Sequence, residues 1–142
     1  MIAQALGPGN PRWPAFVDSL QAAGLPTDDL AAPHQRFFSF ADGAGFGGFA
    51  GDGTSALLRS LIVQPARRGT GLGSAILTAL LDEIRDEGVT EAWLLTLSAA
   101  DFFARHGFRR RDRSDAPAIV RASEQFLGLC PASAVLMCRK PV

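Results

Sequence analysis

The chain has no tyrosine, two cysteines and two histidines, and each shortage removes a class of chemistry. Without tyrosine no phenol can hold or release a proton anywhere in the molecule. Cys130 and Cys138 are too few for a disulfide framework and suit a reducing compartment, so a cytoplasmic protein is expected. His34 and His106 lie far apart and lack ligand spacing, so no metal is expected. No run reaches about 18 consecutive apolar residues, the length of a membrane-spanning helix. The first residues show no basic segment followed by an apolar one, so no signal peptide is expected. Formal charge is absent as well: 14 Lys and Arg balance 14 Asp and Glu. Nothing therefore advertises nucleic acid or an anionic membrane as a partner. The one basic run, Arg109, Arg110, Arg111 and Arg113, is diluted by Asp112 and Asp115 and reads as a solvated strand edge. There is no internal repeat and no low-complexity linker.

What is present is an ordinary globular balance, 47% apolar and 20% charged in 142 residues. That length predicts a single domain over 1–142 with one sizeable core. Residues 55–88 organise it. A run rich in Leu, Ile and Val ends at Pro65, Arg67 and Arg68, glycines follow at 69, 71 and 73, and an amphipathic segment runs to Gly88. In that segment Leu72, Ile76, Leu80 and Ile84 form one apolar line. Strand, glycine turn and helix together make an anion site. The first N–H groups of a helix have no intrahelical partner and carry about half a positive charge. Glycines let that backbone approach an anion closely. The dinucleotide pattern G-x-G-x-x-G fails, because the sixth position from Gly69 is Ser74 and from Gly71 is Ile76. The P-loop pattern fails for want of a lysine.

The rest of the chain reads as short elements. A strand is expected over 2–6, then a helix capped by Asn10 with Pro11 first, carrying Trp13, Phe16, Val17 and Leu20 at helical spacing. Thr27, Asp28, Asp29 and Leu30 suggest a further short helix. Strands follow over 36–40, with Phe38 and Phe40 on one face, and weakly over 46–49. Asp42–Gly43 and Asp52–Gly53 mark the turns that lead to the strand 56–63. After the long helix come a buried strand over 92–97, a short helix over 99–106 and a basic strand. Another helix, capped by Ser114 or Asp115, would carry Ile119, Ala122 and Phe126, and a last strand covers 134–138.

Arg68-Gly69-Thr70-Gly71-Leu72-Gly73 fits (Q/R)-x-x-G-x-(G/A), and Val63, Pro65, Arg68 and Gly69 spell V-x-P-x-x-R-G. With the strand before them these residues resemble the GNAT acetyltransferases. The resemblance is strongest over 57–108. It implies an α/β (α+β) fold: a mixed, mostly antiparallel sheet with a splayed strand pair and helices on both faces. It implies acetyl-CoA as co-substrate and the primary amine of a small molecule as acceptor. The turn from Arg68 through Gly69, Thr70, Gly71 and Leu72 to Gly73 would cradle the pyrophosphate. The backbone of Leu61, Ile62 and Val63 would bind the pantetheine arm, and the acyl group would lie near Thr96, Leu97 and Ser98. By resemblance alone a homodimer is admissible.

Two departures accompany the likeness. The segment Phe102-Phe103-Ala104-Arg105-His106-Gly107-Phe108 resembles the second family signature, but Phe103 stands where a tyrosine often protonates the departing thiolate. Arg59 stands where many relatives carry a glutamate base. Water or Ser98 could supply the acid, His106 sits where a structural role is usual, and no catalytic residue is assigned. Arg59 admits two readings, a clamp for an acidic acceptor or a structural arginine paired with Asp52 or a C-terminal loop. The runs 57–61, 94–96, 102–103 and 130–133 look like the arsenic-resistance branch of these enzymes. That implies a small amino-acid acceptor, acidic or arsenic-bearing. Against it, Gly48-Phe49-Ala50 replaces the branch's Gly-Leu-Glu. Cys130 is either a chemical thiol or a small apolar loop residue. The missing tyrosine and glutamate also fit a second function, a non-catalytic acyl-CoA-binding sensor or partner domain. Acetylation of protein termini or lysines is the weakest reading, because the composition shows no peptide groove.

Overall fold

The computed structural model describes residues 1–123 and 134–142. Seven strands form one sheet in the order β1-β2-β3-β4-β5-β7-β6 among the described residues. They are β1 (Gln4–Leu6), β2 (Gln35–Phe40), β3 (Gly45–Asp52), β4 (Ser55–Val63), β5 (Glu91–Thr96), β6 (Arg109–Arg111) and β7 (Val135–Arg139). The helices are α1 (Trp13–Ala22), α2 (Leu72–Asp86), α3 (Ala100–Arg105) and α4 (Ala118–Arg121). Every pairing is antiparallel except that of β4 with β5. There the crossover through α2 carries the chain over one face of the sheet.

Alternation along the strands sorts the core into layers. On one side α2 buries Leu72, Ile76, Leu77, Leu80, Leu81 and Ile84 against Phe38, Phe40, Leu58 and Leu94. Each such side chain is worth about 1.5–3 kcal/mol of transfer free energy. β3 meets this helix with glycine: a Cβ at Gly47 would sit 2.5 Å from Leu80 Cδ1. On the other side there are two clusters. Phe16, Leu20, Phe37, Phe46 and Ile62 pack under α1, and Leu57, Trp93, Val120, Leu136 and Cys138 pack under α4. Phe37 and Phe38 thus serve opposite faces, as strand geometry requires.

Four local expectations are corrected. α1 begins at Trp13, with Pro14 in its first turn, because Asn10 spends its Oδ1 on the Arg12 N–H, 2.9 Å away, in a turn before the helix. Residues 28–34 are turns instead of a helix. Gln35 Nε2 donates to the carbonyls of Asp29 (2.6 Å) and Ala32 (3.3 Å), which competes with helical pairing. β3 runs for eight residues despite its four glycines, because β2 and β4 flank it on both edges. α4 is capped by Pro117, with Arg113–Asp115 forming a separate 3₁₀ turn. Phe126 and Cys130 lie outside the described residues. The basic strand does lie on an edge: Arg109, Arg110 and Arg111 are exposed, and Arg111 stacks on Trp93 at 5.1 Å and pairs with Asp115.

Candidate functional site

The parallel pair β4 and β5 is joined at one end only. Ser55, Ala56 and Leu57 pair with Glu91, Ala92 and Trp93, and the register stops there. The joined end is also tied through side chains. Glu91 Oε1 accepts from Ser55 Oγ at 3.0 Å and from Trp93 Nε1 at 3.1 Å, and Glu91 Oε2 meets Lys140 Nζ at 3.0 Å. Burial alone would raise the Glu91 carboxyl, but these hydrogen bonds, with the Lys140 charge, hold it below the ordinary glutamate value.

Past Leu57 the strands part. On β4 the pairs Gly48↔Arg59 and Phe46↔Ile62 leave two residues, Ser60 and Leu61, opposite Gly47 alone. This is a bulge, and Ser60 sits in it at φ +60°. Beyond Leu57, through and past the bulge, β4 makes no pairing with β5, whose own far end stays with β7. A cavity of about 420 Å³ fills the gap, with Leu61, Ile62 and Val63 on one wall and Leu95, Thr96 and Leu97 on the other. Leu97 is 61% exposed, unusual for a large apolar side chain. Phe103 is buried at the cavity wall, edge-on to Phe102 and Phe108. The polar side chains among the described lining residues are Arg59, Ser60, Thr96 and Ser98. Thr96 Oγ1 accepts the Ala99 N–H at 3.1 Å and keeps its own proton to donate. Among the described lining residues there is no carboxylate, histidine or lysine.

The glycine turn closes one end of this gap. Gly69 and Gly71 have φ of +78° and +81°, which other residues adopt only under strain, and nothing lies within 4 Å of where their Cβ atoms would be. Gly73 is already inside α2, at ordinary φ, and also lines the cavity. Arg68 Nε donates to the Val63 carbonyl at 3.2 Å, and Thr70 Oγ1 donates to the Arg67 carbonyl at 2.5 Å. These bonds hold the turn in place, and no side chain caps the start of α2. Ser74 Oγ and His106 Nε2, 3.0 Å apart, tie α3 to the start of α2.

The structure therefore brings Leu61, Ile62, Val63, Gly73 and Thr96 to one cavity, and Arg68, Gly69, Thr70, Gly71 and Leu72 lie in the chain just before Gly73, outside its lining. Arg59 needs correction as a free clamp. Its side chain is only 1% exposed, and its guanidinium already holds a carboxylate of the same chain. Nη1 donates to Asp29 Oδ2 at 2.5 Å and to Gln35 Oε1 at 2.8 Å, Nη2 to the Pro26 carbonyl at 3.1 Å, and Nε to Ser60 Oγ at 3.1 Å. Asp29, Gln35 and Ser60 carried no sequence signal. Asp29 is one of several surface-type acids, and 30 residues separate it from its partner.

A mixed sheet splayed around one parallel pair, with a glycine turn opening a helix at the end of the gap, defines the GNAT fold. The chain belongs to the family described as acetyltransferase (GNAT) domain, whose model matches residues 33–110. Over 51 residues the chain is 43% identical to an amino-acid acetyltransferase of Mycobacterium tuberculosis, a stretch that covers 36% of this chain and 29% of that protein. N-acetylglutamate synthase from Neisseria gonorrhoeae, solved with coenzyme A and N-acetyl-glutamate, superposes with a TM-score of 0.76 at 16% identity, over 100% of this chain and 36% of that one. Rv2747 from Mycobacterium tuberculosis, solved in complex with CoA, gives 0.71 at 22% identity, over 91% of this chain and 93% of the other. The chain thus spans about a third of the length of the first two relatives. The arsenic-resistance branch gains no support from these comparisons.

Proposed function

We propose that this chain is an N-acetyltransferase domain that moves the acetyl group of acetyl-CoA to the primary amine of a small molecule. One observation carries the reading: the gap between β4 and β5 runs from unpaired strand edge to the glycine turn, so a single elongated ligand could meet both. The pyrophosphate would lie on the N–H groups that open α2. The pantetheine arm would pair with the backbone of Leu61, Ile62 and Val63, as an added strand does. A backbone N–H in that stretch would polarise the thioester carbonyl, and holding amine and thioester together would supply much of the acceleration. As the amine nitrogen attacks, the carbon–sulfur bond breaks, the nitrogen loses a proton and the sulfur gains one. Thr96 and Ser98 offer hydroxyls for the second transfer, and solvent can take the first.

A small amino acid is the acceptor best supported, through the likeness to a protein named as an amino-acid acetyltransferase. An acidic acceptor would find the Arg59 guanidinium engaged by Asp29, and an arsenic-bearing one rests on sequence resemblance alone. The second reading, a coenzyme-binding domain without turnover, is favoured by Phe103, which occupies the cavity wall with no proton to give. The test is release of free thiol from acetyl-CoA in the presence of single amino acids, including glutamate and arsenical glutamate analogues. Turnover with any of them supports the transferase. Calorimetric binding of coenzyme A with no thiol release across the panel supports the second reading.

A further inference from the structure

Ser60 is the residue on which the splay turns, and its conformation is one that a side chain disfavours. It is buried, and its φ of +60° coincides with the register shift between Phe46 and Gly48. Something must hold it there. Its hydroxyl accepts the Nε–H of Arg59, the residue immediately before it. That guanidinium is planar and its donors have fixed directions. Nε cannot swing off Ser60 unless Nη1 leaves Asp29 and Gln35 and Nη2 leaves the Pro26 carbonyl. The Phe37 ring lies against one face, 5.5 Å from the guanidinium carbon. Gln35 closes the ring by donating to the Asp29 carbonyl. The cage is thus built from β2, from the turns that precede it and from the loop after α1. Residues 23–26 of that loop form a wall of the same cavity.

We infer that Arg59, clamped by Asp29 and Gln35, is a positioning residue: it holds Ser60 in its left-handed conformation and so keeps the edge of β4 at 61–63 turned toward the coenzyme. The inference rests on the proposed coenzyme site and adds the device that shapes it. Arginine fits the task and lysine does not, since an ammonium can pair with Asp29 but has no second nitrogen fixed in position for Ser60. Glycine at position 60 would need no clamp, because it adopts positive φ freely.

The experiment follows from that last point. Coenzyme A affinity by calorimetry and Tm without ligand are measured for wild type, Ser60→Gly, Arg59→Lys and the double variant Arg59→Lys/Ser60→Gly. Arg59→Lys is expected to weaken coenzyme A at least about tenfold. Ser60→Gly is expected to make affinity insensitive to position 59, so that the double variant binds within about threefold of Ser60→Gly alone and more tightly than Arg59→Lys. An Arg59→Lys protein that binds as tightly as wild type overturns the inference. So does a double variant that stays as weak as Arg59→Lys, for then Arg59 acts by some route other than Ser60. Should Arg59→Lys not fold, Asp29→Leu/Arg59→Met, which removes both charges together, replaces it as the background for Ser60→Gly. Wild type that fails to bind coenzyme A sinks the proposed function instead. Tm then decides the inference: Ser60→Gly should raise Tm in the Arg59→Lys background and not in wild type, and equal shifts in both would overturn it.

Discussion

A Cβ at Gly73 would lie 3.7 Å from Val63 Cγ2 and 3.8 Å from Phe102 Cζ, ordinary contact distances, and the backbone there is helical. Folding therefore does not require glycine at this position, whereas an anion at the start of α2 would require the absence of negative charge. Gly73→Asp separates the two. A carboxylate in the first turn of α2 stabilises the helix, and leaving glycine helps further, so Tm should rise by about 2–4 °C. Coenzyme A affinity should fall at least about tenfold, read by calorimetry. Unchanged affinity would remove the pyrophosphate from this turn. Glu91 invites a different test. Its carboxyl is held below the ordinary value of 4.5, so it contributes stability above that pH and loses it as pH falls through the lower folded value. Wild type should be more stable than Glu91→Gln by roughly 1 kcal/mol near neutrality, and the difference should vanish at pH below the folded value. Urea unfolding at several pH values checks this. A gap that persists in strong acid would place the effect in packing.

Among the elements, β3 is the one whose composition argued against it. Four glycines loosen a strand, yet β3 lies between β2 and β4 and bears α2 on one face. The reason is room. A Cβ at Gly48 would come within 2.5 Å of the Arg36 carbonyl oxygen and of Phe37 Cδ1, and the first of these is backbone paired in β2. Gly48→Ala should cost about 2–3 kcal/mol in urea unfolding, as overpacking does. A cost below about 0.5 kcal/mol would mean that the strands separate easily. α2, β5 and the glycine turn were legible from spacing alone, because long amphipathic periodicity and glycine punctuation are local signals. The segment from 27 to 30 was not. Its acidic residues look like a helix start, but Asp29 is claimed by Arg59 and its carbonyl by Gln35. Tertiary demand overrode a local preference there.

For the whole molecule, the chemistry of the cavity sets a pH dependence. Among its described lining residues there is no carboxylate, histidine or lysine, so the proposed reaction would rely on solvent to take the acceptor's proton. If acetyl transfer occurs, kcat/KM should rise tenfold per pH unit and level off only at the acceptor's own amine pKa. The check is to use two amines of different basicity. A plateau at one fixed pH for both would reveal a titrating protein group.

The sequence by itself determined the parts of this protein that depend on neighbours in the chain: the helical face of α2, the turn from Arg68 to Gly73, and the order of elements that belongs to the GNAT fold. Periodicity and glycine are read within a few residues, so one chain suffices to see them. The resemblance implied a splayed pair, but only the tertiary structure decided where β4 leaves β5 and the fate of Arg59. Where the pair opens, β4 has lost register with β3 at one residue of positive φ, and no residue type announces that. Arg59 found its carboxylate 30 residues away, on a loop that folding brings beneath β4. A buried guanidinium must be neutralised and hydrogen-bonded, but which acid meets it is decided by the packing of the sheet.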